Sequence, residues 1–157
     1  KTKRELGPRE PEVAGNGRAR AESYTRQLEP VDRDAEARFS AIRRARRIVR
    51  TSHDALGYFG DRYGVTFVSP LGVSTETEAS AADVAQVIRQ IRAEHVKTYF
   101  FENSNDARLV RQIAAATGAR PGGVLYVEAL SPADGPAATY LAMFRYNTDQ
   151  IVAALGK

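Results

Sequence analysis

From about residue 46 onward, short apolar runs alternate with longer amphipathic stretches, and this alternation constrains the fold more than any other feature. Four apolar runs begin near Ile48, Val65, Lys97 and Gly123. Each is followed by a stretch that predicts a helix: residues 54–63, 80–94, 105–117 and about 137–155, with Ser80 and Asn105 as N-caps. Strands separated by helices of this length predict a parallel sheet with right-handed crossovers. We therefore expect an α/β fold, with a four-stranded parallel sheet and helices on both faces.

The N-terminal third has a different character. Residues 1–17 are charged and interrupted by proline and glycine, which predicts a disordered arm. Residues 18–45 carry an apolar stripe at steps of three and four, typical of a long helix. The stripe consists of Ala21, Tyr24, Leu28, Val31, Ala35, Phe39 and Ile42. Pro30 interrupts it, so we expect a kink or a break there. The α/β body then occupies residues 46–157.

The net charge of +4 comes from this N-terminal third. Residues 1–50 carry 14 Lys and Arg against 8 Asp and Glu, whereas residues 51–157 carry 9 against 11. An interaction or nucleic-acid-binding function would have to use the first of these segments. Acidic residues interleave with the basic ones there, and no nucleic-acid-binding motif is visible. That function is therefore an alternative rather than the leading hypothesis.

Composition excludes several other classes of site. The chain has no cysteine, which rules out disulfides, thiolate metal sites and cysteine nucleophiles. No stretch approaches the roughly 20 apolar residues that a membrane span needs. The N-terminal residues lack an apolar segment, so no signal peptide is visible in this chain.

Polar side chains follow each of the four predicted strands. His53 follows the first, Ser69 the second, Glu102 the third and Glu128 the fourth. Open α/β sheets bind ligands at the carboxyl ends of their parallel strands, so we expect these side chains to gather at one edge. Simpler interpretations stay open, since His53 could only cap a helix and the glutamates could cap turns or lie in solvent. His95 ends a predicted helix, where a cation suits the helix dipole, and we assign it a structural role.

Enzyme chemistry has little support in the sequence. There is no nucleophile elbow, Walker loop or dinucleotide-binding fingerprint. Ser52, His53 and Asp54 are neighbours in sequence, whereas a catalytic triad requires convergence in space. Glu102 and Glu128 could perform acid–base chemistry or metal-assisted hydrolysis with His53, but nothing selects a substrate for them. We therefore predict that the protein is not an enzyme.

A family resemblance is carried by three stretches: RRIVRTSHDALGYFGDRYGV, STETEASAADVAQVIRQIRAEHVKTYFFEN and YVEALSPADGPAATYLAMFRYNTDQIVAAL. Together they resemble the C-terminal lobe of the zinc and manganese substrate-binding proteins of bacterial ABC transporters. The S-H-D-A start and the A-x-Y-x-x-M-x-x-Y-N pattern of the last helix are the most specific parts. The resemblance implies a metal held between two α/β lobes that one long helix joins. It also implies a periplasmic or other extracytoplasmic location and an ABC permease as partner.

The resemblance further implies a set of metal ligands. His53 and Glu128 match positions at which the family binds its metal, and Glu102 matches an acidic position of the family. We expect Glu102 and Ser52 to support the ligands without contacting the metal. In the family, two further histidine ligands belong to the N-terminal lobe. We therefore expect this chain to be a fragment, and its metal site to be completed by that lobe or by a second copy. With a histidine at position 53, zinc is favoured over manganese. Glu128 stands where aspartate is usual, which shifts the carboxylate by about one bond length.

Overall fold

The computed structural model describes residues 11–51, 54–69, 81–94, 98–103 and 107–156. Within these residues the helices are α1 (Pro11–Ser40), α2 (Gly57–Tyr63), α3 (Ala81–Ala93), α4 (Ala107–Thr117) and α5 (Tyr140–Leu155). The strands are β1 (Ile48–Arg50), β2 (Thr66–Val68), β3 (Thr98–Glu102) and β4 (Arg120–Leu125). They form one parallel sheet in the order β2-β1-β3-β4. The predicted α/β fold is confirmed.

Two hydrophobic cores lie on opposite faces of this sheet. The first core lies between the sheet and helices α1, α2 and α5, and comprises Ala35, Phe39, Val49, Tyr63, Val65, Phe100, Leu125, Ile151 and Leu155. The second core lies between the sheet and helices α3 and α4, and comprises Val87, Ile91, Tyr99, Phe101, Ile113 and Ala119. Successive residues of β3 alternate between the two cores, as the pleat of a strand requires. Helices therefore cover both faces, as expected.

The first helix, α1, begins earlier than predicted and passes through its internal proline without a break. Residues 11–17, which we assigned to a disordered arm, are helical, while residues 1–10 lie outside the described part of the chain. Pro11 suits the first turn because a helix has no partner for the backbone N–H of that position. Pro30 is exposed, so water can solvate the carbonyl oxygen that loses its donor there.

A polar network joins α1 to α2. The Arg62 guanidinium donates to Asp32 at 3.1 and 2.7 Å and to Glu36 at 3.3 and 3.2 Å. The Tyr63 hydroxyl donates to Asp32 at 2.6 Å. The hydrogen bond from Arg62, followed by that from Tyr63, lowers the pKa of the Asp32 carboxyl. Beneath this network the rings of Phe39 and Tyr63 lie 5.6 Å apart, so polar and aromatic contacts together hold α2 against α1.

The second helix, α2, is shorter than its sequence pattern predicts. We expected it to begin at Asp54, whereas it begins at Gly57. Its end is as predicted, because Gly64 has a φ of +64° and provides the left-handed residue that terminates the helix. Just before this turn, a Cβ on Gly60 would lie 2.6 Å from the carbonyl oxygen of Val65. Glycine at that position allows the close passage of the chain from α2 into β2.

The last helix, α5, also begins later than predicted. We placed its start near Ala137, whereas it begins at Tyr140. The Thr139 side chain accepts a hydrogen bond from the Ala142 N–H at 3.2 Å and so caps the helix at this point. Two other predicted caps, Ser80 before α3 and Asn105 before α4, lie outside the described residues.

Strand β4 begins three residues before its predicted start at Gly123 and ends at Leu125. It includes Pro121, which an edge strand tolerates because it pairs along one side only. Gly122 is needed for packing, since a Cβ there would lie 2.7 Å from the Phe100 ring. The predicted strand did not include this proline and this glycine, whereas an edge strand accepts both.

Candidate functional site

The carboxyl ends of the parallel strands define one edge of the sheet, which we call the ligand edge. The ends of β1 and β2 are in register, because Arg50 pairs with Val68, and so are the ends of β3 and β4, because Glu102 pairs with Leu125. Between these two pairs β3 extends further, because Arg50 pairs with Tyr99, three residues before the end of β3. The ladder between β1 and β2 continues one residue further, since the Thr51 N–H donates to the Val68 carbonyl at 3.1 Å. Because all four strands are parallel, the chain segments that follow them leave the sheet at the same edge.

The structure describes some of the predicted polar residues and not others. Ser69 directly follows β2 and is half-buried. Ser52 and His53 come directly after the buried Thr51, but both lie outside the described residues. His95 also lies outside them, so its structural role stays a prediction.

Glu102 is the last residue of β3 and is almost fully buried, with 1% of its surface exposed. Its carboxylate influences a neighbouring side chain, Tyr99. Burial, followed by the negative charge of Glu102, raises the pKa of Tyr99 well above its usual range. A carboxylate in this position can polarise its neighbours, but it is closed to solvent. The burial of Glu102 thus differs from that of a carboxylate that is accessible to a metal ion.

Glu128 is exposed on the loop of residues 126–139 that connects β4 to α5. The backbone on both sides of it is bonded to two asparagine side chains. Asn147 of α5 pairs with both backbone groups of Tyr126, and Asn103 bonds the Val127 N–H and the Ala129 carbonyl. Sequence reasoning assigned no role to either asparagine. The available signals were the Glu-Asn pair at the end of β3 and the Tyr-Asn pair of the last-helix pattern.

The same loop is also closed on itself. The Ser131 N–H donates to the Ala137 carbonyl at 3.0 Å, and the Ala137 N–H donates to the Ser131 hydroxyl at 2.9 Å. That hydroxyl donates in turn to the Pro132 carbonyl at 3.0 Å. Gly135 packs directly on this closure, since a Cβ there would lie 2.7 Å from both Cβ and Oγ of Ser131. Internal bonds therefore hold the loop that carries Glu128.

Among the described residues, no three His, Cys, Asp or Glu side chains lie together as a possible metal site. Closed zinc sites in proteins usually have four ligands. The described part of the ligand edge therefore does not form a complete site. Among its exposed carboxylates, Glu128 lies on a backbone that side-chain hydrogen bonds hold on both sides.

Two arginines of α1 form ion pairs with nearby acids. Arg38 lies 3.4 Å from Asp34 on the same helix and 2.6 Å from Asp149 on α5, and Arg33 lies 4.0 Å from Glu29. The interleaved acids and bases of the sequence thus pair along the helix. In the described ranges, no helix has both the length and the apolar character that crossing a membrane requires.

Several characterised proteins are similar to this chain. The zinc-binding protein TroA of Treponema pallidum is 34% identical over 143 residues, which cover 88% of this chain and 46% of TroA. The iron-binding protein YfeA of Yersinia pestis is 30% identical over 137 residues, covering 87% and 44%. The manganese-binding lipoprotein MntA of Bacillus subtilis is 29% identical over 152 residues, covering 92% and 49%. These three names give three different metals.

The fold is similar as well. The solved structure of the periplasmic zinc-binding protein TroA matches with a TM-score of 0.81 at 30% identity, covering 98% of this chain and 57% of that one. This chain thus spans about half the length of the relatives it matches. The relatives are transport proteins rather than an enzyme family, and they give the nucleic-acid-binding alternative no support. The family pattern of ZnuA, zinc-uptake complex component A periplasmic, matches residues 1–154, and the chain belongs to this family of metal-binding ABC-transporter proteins.

Proposed function

We propose that this chain is the C-terminal lobe of a two-lobed receptor that binds zinc outside the cytoplasm and delivers it to an ABC permease. The observation that carries the proposal is the exposed Glu128 carboxylate, held on a fixed loop at the ligand edge of a parallel sheet. That edge is where open α/β sheets bind ligands, and the relatives are named for binding zinc, iron or manganese.

In this proposal His53 and Glu128 bind the metal directly, and Glu102 and Ser52 support these ligands without contacting the metal. The burial of Glu102 supports its indirect role, because a carboxylate with 1% exposure is suited to orienting a neighbour. Imidazole with carboxylate suits zinc and also serves manganese. We favour zinc because of the histidine.

Two ligands cannot hold zinc tightly, so the proposal requires a further source of ligands. We propose that an N-terminal lobe, or failing that a second copy, supplies them. Two observations support the lobe: the sequence match covers 46% of TroA, and the apolar stripe in the N-terminal half of α1 is exposed at Tyr24 and only half-buried at Ala21 and Leu28. In this arrangement α1 is the end of the helix that joins the two lobes, and the segment from residue 46 onward is the C-terminal lobe.

A zinc titration against a competing chelator tests the function. We expect the lone chain to bind zinc weakly, or one ion per pair of chains where a second copy adds ligands, and His53→Ala and Glu128→Ala each to abolish binding without unfolding the protein. Asp134→Ala is the matched control, since Asp134 is another exposed acid on the same loop. Unchanged zinc affinity in His53→Ala would overturn the ligand assignment. A parent chain that binds no zinc would show that the lobe alone is not a receptor.

The same assay with manganese and iron tests the choice of metal, and we expect zinc to bind most tightly. Glu128→Asp should preserve or improve zinc affinity, because it restores the ligand usual in the family. A clear loss in this variant would show that the site is adapted to the longer side chain.

A further inference from the structure

We infer that Asn103 and Asn147 are positioning residues, which fix the backbone around Glu128 at the ligand edge before any metal binds. The inference about the backbone stands on hydrogen bonds within the chain. Its consequence for metal affinity rests on the proposed function.

The first half of this clamp comes from α5. Asn147 is 5% exposed, and its amide oxygen accepts the Tyr126 N–H at 3.0 Å while its amide nitrogen donates to the Tyr126 carbonyl at 2.7 Å. A carboxamide that pairs with both groups of one residue acts like the backbone of an additional strand. Tyr126 directly follows the edge strand β4, so this pairing fixes the chain where the sheet stops supporting it.

The second half comes from the segment after β3. The backbone N–H of Asn103 donates to the Leu125 carbonyl at 2.9 Å. Its side-chain oxygen accepts the Val127 N–H at 3.2 Å, and its side-chain nitrogen donates to the Ala129 carbonyl at 3.1 Å. Asn103 thus bonds the residues immediately before and after Glu128.

Together the two asparagines make five hydrogen bonds to backbone groups of residues 125–129. The exposed Glu128 side chain is therefore carried by a backbone that is already ordered. Ordering a ligand during folding removes that entropic cost from the binding step and raises affinity. Asparagine suits this task because one side chain carries both a donor and an acceptor, whereas aspartate only accepts and leucine does neither.

Amide hydrogen exchange on the metal-free chain tests the clamp directly. Asn147→Asp keeps the size of the side chain but replaces the donor to Tyr126 with an acceptor. We expect exchange at Val127 and Glu128 to accelerate by about tenfold in this variant, while amides of α3 on the opposite face keep their rates. Asn103→Asp, which loses the donor to Ala129, should show the same local pattern.

Thr148→Val is the matched control. Thr148 follows Asn147 in the same helix, is 2% exposed, and its hydroxyl has no hydrogen-bond partner among the described residues. This substitution changes a buried polar residue of α5 without touching the clamp, so exchange in the loop should stay as in the parent. Equal exchange at Val127 and Glu128 in Asn147→Asp and Thr148→Val would overturn the inference.

Cobalt in place of zinc separates positioning from general stability, because its absorption spectrum reports ligand geometry. We expect Asn147→Asp to bind cobalt about tenfold more weakly than the parent and to change the spectrum, with Thr148→Val unchanged. Faster exchange with the parent's cobalt affinity and spectrum would overturn the positioning role. If the parent binds no cobalt, the proposed receptor function of the lone chain fails, and the exchange data alone decide whether the clamp exists.

Discussion

The two halves of α1 carry one continuous apolar stripe but have different surroundings. In the C-terminal half, Val31, Ala35 and Phe39 are buried at 6%, 1% and 0% exposure. In the N-terminal half, Tyr24 is 42% exposed, and every side chain from residue 17 to Pro30 is exposed or half-buried. The sheet and helices of this chain therefore cover only one half of a stripe that spans both.

This difference shows what apolar periodicity can establish. The spacing of the stripe predicts a helix with one face to be covered, and it holds in both halves. It says nothing about which structure covers that face. Because a lobe-joining helix would need cover along its whole length, the uncovered half is consistent with our proposal of a missing N-terminal lobe.

The largest loss of stability is expected at Phe39, the residue of the stripe that is fully buried in the first core. Phe39→Ala should lower the free energy of unfolding by about 3–5 kcal/mol, from lost burial and the cavity that remains. Urea denaturation measures the loss. Tyr24→Ala is the control, and we expect it to change stability by no more than about 0.5 kcal/mol. Similar losses in both variants would contradict the division of α1 into covered and uncovered halves.

A smaller effect is expected at Asp32, where polar contacts tie the covered half of α1 to α2. Its pKa is lowered by Arg62 and Tyr63, so its carboxylate stabilises the fold at pH values above its ordinary pKa near 3.8. Asp32→Asn should cost about 1 kcal/mol at pH 7, since charged hydrogen bonds at a partly exposed site contribute modestly.

The pH dependence provides a second test of this ion pair. As pH falls below 3.8 and through the lower pKa of the folded chain, the Asp32 contribution is lost, so parent and Asp32→Asn should converge in stability. Asp34→Asn is the control, because Asp34 pairs with Arg38 at 3.4 Å within one exposed helix face and contributes only a few tenths of a kcal/mol. A difference between parent and Asp32→Asn that does not shrink at all as pH falls below 3.8 would contradict the electrostatic explanation.

The smallest effect should come from removing part of the uncovered half. Deleting residues 1–24 removes Tyr24 and half-buried Ala21 but no residue of either core. The melting temperature in calorimetry should therefore shift by no more than about 2 °C. A fall of several degrees would show that this segment packs against the body of the chain.

Much of the fold follows from the sequence because strand–helix alternation and parallel topology are strongly linked. The same topology places Glu102 and Glu128 at the ligand edge without knowledge of any contact. The predicted start of β4 was wrong. Pro121 and Gly122 are unfavourable in most strands, whereas an edge strand that packs against Phe100 accepts them. Of the kink or break predicted at Pro30, the break was wrong, because the exposed position lets water replace the lost donor and the helix continues.

The support of the candidate site could not be predicted for a related reason. The clamp joins Tyr126 to Asn147 and Val127 to Asn103, residues that are 21 and 24 positions apart. No periodicity links such pairs, and asparagine alone is equally common in turns and caps. The assignment of His53 stays a prediction, because that residue lies outside the described ranges.

The closure of the β4–α5 loop also has a consequence for inherited variation. Every nucleotide change in the Gly135 codon that alters the encoded residue either adds a Cβ or ends the chain. Such a Cβ would meet Ser131 at 2.7 Å and force the loop to move. We expect damaging missense alleles at Gly135, a position without any side chain to bind a metal. Under the proposed function, searches for loss-of-uptake alleles should therefore include this glycine of the loop as well as the proposed metal ligands.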